Sequence, residues 1–255
     1  MVNILQVADM SEYEIKFLDE SHLNEVLYLQ RIVTKNLLDP LSYYVAPVEV
    51  NFFCKHLSSK NSVIGFFHEN NLIGFHIASF PGLHEEQLGL DIGLKAEELS
   101  KVAQFAAVAI HPDHRNKGLL TKVSDKHLKV LEQMGYRHVC LRIEPNNFPS
   151  IKATMANGFV IKRLTVKYNK LLRYIFHLDF KKSFNQPRYS VRIPHVDIDS
   201  QKFMMNLGFY GYEVLKNDNG FDLVFGYDEV KEFHSNSFLE NELGGTCITR
   251  MSLAL

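Results

Sequence analysis

The sequence predicts an α/β protein built on a mixed β-sheet flanked by helices, and three observations carry that prediction. Val102 to Ile110 is a continuous apolar run that Pro112 stops, the pattern of a strand covered on both faces. Leu120, Val123, His127, Leu131 and Met134 then recur at helical spacing, with Gly135 as a natural stop. His138 to Ile143 returns as a second strand. Strand, helix and strand in that order require a crossover that leaves the two strands parallel in one sheet, with a ligand at their carboxyl ends.

The elements before this unit follow in order. Tyr13 to Phe17 reads as a short strand, and Asp19 or Ser21 is placed to cap a helix whose apolar face uses Val26, Leu29, Val33 and Leu37. A loop containing Pro and Tyr, Asp39 to Pro47, leads to a second helix with Val50, Phe53 and Leu57 on one side. Ser62 to His68 and Leu72 to Phe80 are rich in β-branched and aromatic residues, and Glu69-Asn70-Asn71 joins them as an antiparallel hairpin. Pro81 to Lys101 reads as a long functional loop with helix at Lys95 to Lys101.

After the second central strand, Ser150 to Ala156 forms a short helix ending at Asn157-Gly158, and Val160 to Tyr168 and Leu171 to Phe180 form a strand pair. The first unit is expected to close at residue 180, giving a domain over 1–180 and an α+β extension over 181–255. The extension echoes the second half of that domain. Over Leu141 to Phe159 and Val191 to Phe209, seven of nineteen positions are identical, among them Arg142/Arg192, Ser150/Ser200 and Gly158/Gly208. Tyr210 to Leu215, Asn217 to Gly220 and Phe221 to Tyr227 continue it as strand, turn and strand, so a repeated supersecondary unit is expected.

Composition excludes several classes. With 255 residues, 46% hydrophobic and 22% charged, the chain suits a folded globular protein rather than a disordered one. A net charge of -1 gives no global attraction to nucleic acid or to an anionic membrane, so neither is expected as a partner. Cys54, Cys140 and Cys247 are three widely spaced thiols, which suits a reducing compartment. No basic segment followed by an apolar stretch opens the chain, and no apolar run approaches the ~20 residues that span a bilayer, so a cytoplasmic location is expected.

The chemistry concentrates in Ile110-His111-Pro112-Asp113-His114-Arg115-Asn116-Lys117-Gly118-Leu119-Leu120-Thr121, between the central strand and the amphipathic helix. Gly118 permits a tight turn, and the amides of Asn116, Lys117, Gly118, Leu119, Leu120 and Thr121 can converge on one anion at the positive end of the helix. Such a site fits a pyrophosphate. His111 and His114 flank a Pro-Asp turn with no further ligands nearby, so no metal is expected. Cys140 lies in an apolar stretch and reads as core, as does His127.

This segment resembles the acyl-CoA-binding motif of the GNAT superfamily, in which Arg or Gln is followed by two residues, Gly, any residue, and Gly or Ala. Arg115 and Gly118 match, and Leu120 departs from the final small residue. The resemblance extends in element order from about Tyr13 to Phe180 and implies a splayed sheet, with the pantetheine arm of acetyl-CoA, or another acyl-CoA, between the two central strands. Val108, Ala109 and Ile110 then supply backbone groups beside a strand bulge, and Asn147, with Ser150 at the start of its helix, contacts the arm.

The resemblance further implies an N-acyltransferase that passes the acyl group to a primary amine, on a small molecule or a protein, in a ternary complex. The family's tyrosine acid falls seven residues after Asn147, at Thr154, which departs from the pattern. That departure equally suits a protein that binds acyl-CoA without turning it over. An ammonium acceptor must lose a proton before it attacks. Glu144 is the first candidate to take it, ahead of Glu85 and Glu86. Asn36 to Pro47, Pro81 to Lys101 and the turn near Asn169 correspond to the family's acceptor-side loops. The extension is expected to cover that side or to mediate association as a homodimer.

Overall fold

The computed structural model describes residues 12–37, 49–82, 85–168, 170–182 and 185–228. The loop Asp39 to Pro47, together with Asn169 and Cys247, lies outside the described residues. In chain order the elements are β1 (Glu14–Phe17), α1 (Leu23–Lys35), α2 (Glu49–Leu57), β2 (Val63–His68), β3 (Asn71–Ser79), α3 (Leu88–Asp91), α4 (Ala96–Leu99), β4 (Val102–Ile110), α5 (Leu119–Gln133), β5 (His138–Ile143), α6 (Phe148–Ala156), β6 (Val160–Lys167) and β7 (Leu171–Asp179). The extension adds β8 (Tyr189–Pro194), α7 (Ile198–Asn206), β9 (Tyr210–Asn217) and β10 (Gly220–Tyr227).

Local chemistry accounts for the boundaries. Asp19 caps a 3-10 turn over Glu20–His22 that runs into α1, and α1 ends at Lys35, which leaves Leu37 beyond the helix. The long loop carries two four-residue helices, α3 and α4, where the sequence suggested one. α6 starts at Phe148, two residues before Ser150, because the Asn147 side chain caps it and Pro149 occupies its first turn. α5 ends one residue before Met134, which is the C-cap.

The strands form one ten-stranded sheet in the order β1-β2-β3-β4-β5-β7-β6-β9-β10-β8. Neighbours pair antiparallel except β4 with β5, which are parallel as the crossover through α5 requires. One face is covered by α1 and α2, whose Leu29 and Phe53 share a core with Phe75, Ile77 and Ala109, and further along by the α3 segment, whose Leu88 packs on Val102, Cys140 and Ile175. On the opposite face, residues of α5, α6 and α7 share a core with Val139, Phe176 and Phe225. Among the described residues no helix is long and apolar enough to cross a membrane.

The extension has the element order of residues 138–179: strand, helix and two antiparallel strands. At an offset of fifty residues, α6 superposes in number on α7 and β6 on β9. Asn147 and Asp197 cap the two helices, each accepting from a serine amide three residues on, and Gly158 and Gly208 turn the chain after them at φ 84 and 93. The two copies meet where β6 pairs antiparallel with β9, at Ile161 and Gly211, which are themselves equivalent positions. A Cβ on Gly211 would come within 3.1 Å of the Ile161 side chain, so glycine lets the strands approach. The Tyr174 hydroxyl donates to Gln201 across the junction, and Gln201 in turn donates to Pro194 O (2.9 Å) and His195 O (3.0 Å).

Candidate active site

β4 and β5 pair only from Val102–His138 to Phe105–Leu141. Beyond that point β4 follows β3 and β5 follows β7, so a wedge opens between them. The parting coincides with a bulge. Against β3 the register passes from Ala107 to Phe105 with Ala106 left over.

The hydrogen-bond alternation of β4 decides which backbone groups reach the wedge. His111 N donates to Ile73 O (2.7 Å), so the groups of Ala109 and Ala107 likewise face β3. The amides and carbonyls of Val108 and Ile110 point the other way, into the wedge. Of the three β4 residues singled out from sequence, Val108 therefore presents its amide and carbonyl there and Ile110 its amide, while Ala109 pairs with Phe75 and buries its methyl in the α1–α2 core. The Ile110 carbonyl accepts from Arg115 Nε (3.1 Å), which braces the following turn against the strand.

That turn is built by two left-handed residues. Pro112–His114 makes a 3-10 turn, Arg115 is extended, and Asn116 (φ 62) and Gly118 (φ 75) swing the chain into α5. The first bond of the helix runs from Lys122 N to Gly118 O (3.3 Å), so the amides of Leu119, Leu120 and Thr121 have no acceptor one turn behind them. Nothing lies within 4 Å of where a Gly118 Cβ would sit, so the turn needs glycine for its φ and its outer face is open. These amides beside the positive helix end are what a pyrophosphate requires. Leu119 points inward, packed among Ile64, Phe66 and Val123, so only its backbone is available. Lys117 Nζ lies 3.5 Å from the Tyr13 hydroxyl, which also meets His114 Nδ1 at 3.3 Å. Burial, reinforced by Lys117 and by His68 and His111, holds His114 below its ordinary range.

The residues beyond β5 are fixed by their own turn. Asn147 Oδ1 accepts from Ser150 N at 3.2 Å. Glu144 is buried, and its Oε2 accepts from Asn146 N at 2.9 Å. Thr154 is half-buried on α6, one turn past Ser150. Asn157, at the end of that helix, donates to Thr121 O (3.0 Å) and ties α6 to the first turn of α5.

Two other groups have settled structural places. Cys140 is fully buried, and burial with Asp91 nearby raises its thiol to about 12, which marks a core residue. His127 of α5 and His76 of β3 lie buried between the helix and the sheet with their Nδ1 atoms 2.9 Å apart. His127 Nε2 reaches Asn61 O (3.0 Å) and His76 Nε2 meets Ser124 Oγ (3.3 Å). Both rings are satisfied in one neutral arrangement, with His127 Nε2–H and His76 Nδ1–H donating.

The face of the wedge opposite α5 holds a cluster that sequence reading did not assemble. Arg142 is the first residue of β5 beyond the last β4 pair, and its guanidinium lies over the Tyr168 ring at 4.8 Å. Arg142 Nη1 meets Glu86 Oε2 at 2.8 Å, while Lys167 Nζ meets Glu86 at 3.1 Å and Asp91 at 2.6 Å. Glu85, five residues from Leu90 on the same loop, turns away to Lys55 and accepts from Gly82 N (3.0 Å), and these bonds hold its carboxyl low. The sequence signal for this cluster was a charge at Arg142 inside an otherwise apolar strand.

The profile of the family described as Acetyltransferase (GNAT) matches residues 30–159. Among solved structures, the putative acetyltransferase yncA of Salmonella typhimurium with its cofactor acetyl-CoA superimposes with a TM-score of 0.52 at 14% identity, over 70% of this chain and 99% of that one. Ard1 from Thermoplasma volcanium superimposes at 0.50 with 16% identity, over 67% and 99% of the two chains. A chain of the NatC complex bound to Gag peptide and CoA gives 0.50 at 13% identity, over 67% and 99%. At these identities the likeness is one of fold. No curated protein matches the sequence.

Proposed function

Since this chain belongs to the GNAT acetyltransferase family, we propose that it transfers an acetyl or other short acyl group from acyl-CoA to a primary amine by direct attack in a ternary complex. One observation carries this reading: the wedge that opens after Phe105 and Leu141 lies at the end of the same strand that runs into the left-handed turn at Asn116 and Gly118. A single extended ligand can thus place phosphates on the turn and a thioester in the wedge. Two of the structural neighbours hold acetyl-CoA or CoA, which supports the same donor here.

In this reading the amides of Asn116 to Thr121 bind the pyrophosphate, with Arg115 holding the turn in place and Lys117 adding positive charge. Val108 and Ile110 pair through their backbones with the amides of the pantetheine arm, and Asn147 contacts the arm from the other wall. The acyl-CoA supplies an activated carbonyl on a thiol leaving group. A backbone amide beside the Ala106 bulge polarises that carbonyl where negative charge develops. Glu144 takes the proton of the acceptor ammonium through water, the amine nitrogen bonds to the acyl carbon, the carbon–sulfur bond breaks, and the second proton on nitrogen passes through water to the thiolate or to solvent. Thr154 donates a hydrogen bond to the departing thiolate, which at a thiol pKa of ~8.5 needs little protonation. Cys54 and Cys140 are free thiols, in keeping with the cytoplasmic location we propose.

Thr154 also motivates a second reading, a protein that binds acyl-CoA and does not turn it over. Thiol release in the presence of an amine panel separates the two, because the second predicts tight binding with none. Placement of the donor site is tested by Gly118→Leu. A side chain there fills the open face of the turn and must adopt a strained φ. Acetyl-CoA affinity, measured by calorimetry, is expected to fall at least tenfold, and retained full affinity would count against the site.

A further inference from the structure

The phosphate turn sits at the start of α5, on one face of the sheet, so a donor lying in the wedge leaves the opposite face as the approach for the acceptor. Near the wedge that face carries, among the described residues, three cations against two carboxylates. Alternation along β5, β6 and β7 places Arg142, Lys167 and Arg173 on it, beside Cys140 and Ile175, which pack against α3. The carboxylates that meet Arg142 and Lys167 there are Glu86 and Asp91, both from the α3 segment.

The burial of these groups is unequal. The side chains of Arg142 and Lys167 are 24% and 16% exposed, and Asp91 is 23% exposed, but Glu86 is 42% exposed. Lys167 keeps Asp91 as a partner at 2.6 Å whatever Glu86 does. Arg142 has Glu86 as its ion-pair partner, with its guanidinium over the Tyr168 ring at 4.8 Å. An ion pair with so exposed a carboxylate is weak and easily exchanged. A guanidinium at the apex of the wedge is matched in shape by an incoming carboxylate, which it can bind through two parallel N–H···O bonds.

We propose that the acceptor is an amine that also carries a carboxylate, as a free amino acid does, and that Arg142 is its specificity residue, receiving the carboxylate in exchange for Glu86. This rests on the acyl-CoA reading of the wedge. Arg142 stands where β5 leaves β4, so a carboxylate bound to it sets a neighbouring amino group beside the thioester carbon. Glu86 acts as a competing internal anion that covers Arg142 when no acceptor is present.

The test uses the whole chain, acetyl-CoA and three matched acceptor sets: free amino acids, their primary amides, and the corresponding decarboxylated amines, with thiol release as the readout. Amino acids are expected to be favoured at least tenfold in kcat/KM over both other sets. Arg142→Gln is expected to collapse that ratio by raising KM for amino acids, and Arg142→Lys to restore part of it. Glu86→Gln is expected to lower KM for amino acids severalfold, an effect in the opposite direction from loosening a loop. Calorimetry with acetyl-CoA on each variant separates acceptor effects from donor effects. If acetyl-CoA binds but amides or plain amines react as well as amino acids, if Arg142→Gln leaves the ratio intact, or if no amino acid is acetylated, this inference is overturned. If acetyl-CoA fails to bind the unmodified chain, the reading beneath it falls instead.

Discussion

The two copies of the strand–helix–hairpin unit, β5-α6-β6-β7 and β8-α7-β9-β10, share a scaffold and differ in what surrounds it. β5 lies between β4 and β7 and is buried along nearly its whole length, whereas β8 is the sheet edge and is mostly exposed. What the copies keep is what the backbone needs: the capping side chains Asn147 and Asp197, the serines that they cap, and Gly158 and Gly208 in the left-handed region. What they do not keep is what the wedge needs. Glu144 corresponds to Pro194, Thr154 to Met204, and Asn157, which ties α6 to α5, to Leu207. Arg142 and Arg192 are both arginine, yet Arg192 pairs with Asp222 on the neighbouring strand. A residue type found in both copies therefore does not carry one role: the groups around it decide what it does.

The sharpest way to break the comparison is to ask whether the copies are one folding unit. Phe176 and Phe225 occupy matching places, opposite Ile161 and Gly211, and both are fully buried in one core cluster. Phe176→Ala and Phe225→Ala are each expected to cost ~3–5 kcal/mol. Chemical denaturation followed by circular dichroism should show a single transition that shifts for both variants. A second transition, moved by Phe225→Ala alone, would mean that the extension folds as a separate body.

Acid should separate the first region from the extension by a somewhat smaller margin. The first region buries His76 and His127, and burial lowers His127 from 6.5 to about 4 and His76 well below its ordinary value, with His127 adding to the shift on His76. In the first copy itself, burial and His138 lower His177 to about 3, whereas the corresponding residue of β10 is Gly226, which has no side chain to titrate. A histidine that resists protonation when folded binds fewer protons than the unfolded chain. Its contribution is intact above pH 6.5 and is lost as pH falls from 6.5 toward 4, ~3 kcal/mol for His127 alone. Hydrogen exchange across that window is expected to show the β3–α5 region losing protection before β9 and β10. Uniform loss, or a His127→Gln variant with an unchanged acid profile, would contradict it.

Much of this arrangement was readable in advance because it rests on short-range chemistry. The apolar run of β4, the helical spacing of α5 and the left-handed Gly118 each announce themselves within a dozen residues. The repeat was visible because caps and turn glycines recur at fixed spacing. The Arg142–Glu86–Lys167–Asp91 cluster was not, since its members come from three segments spread between residues 86 and 167 and only the sheet brings them together. Likewise, which residues of β4 offer their backbone to the wedge depends on the bulge at Ala106 and on the register with β3, neither of which composition specifies.

The smallest effect is also the most discriminating, because it compares one interaction in its two settings. Asn147 and Asp197 accept from Ser150 N and Ser200 N at 3.2 and 3.1 Å, the same cap on the same helix. Replacing either by alanine removes a bond to an orphan helix amide and is expected to cost ~1 kcal/mol, seen as a similar drop in Tm. If Asn147 also touches the pantetheine arm, Asn147→Ala should weaken acetyl-CoA severalfold while Asp197→Ala leaves its affinity alone. Asn147→Asp completes the comparison by writing the extension's residue into the first copy: the cap is kept, so Tm holds, and the side-chain amide is lost, so affinity falls. Equal affinities for all three variants would reduce Asn147 to a helix cap, and the family pattern at that position would then report the scaffold and not the ligand.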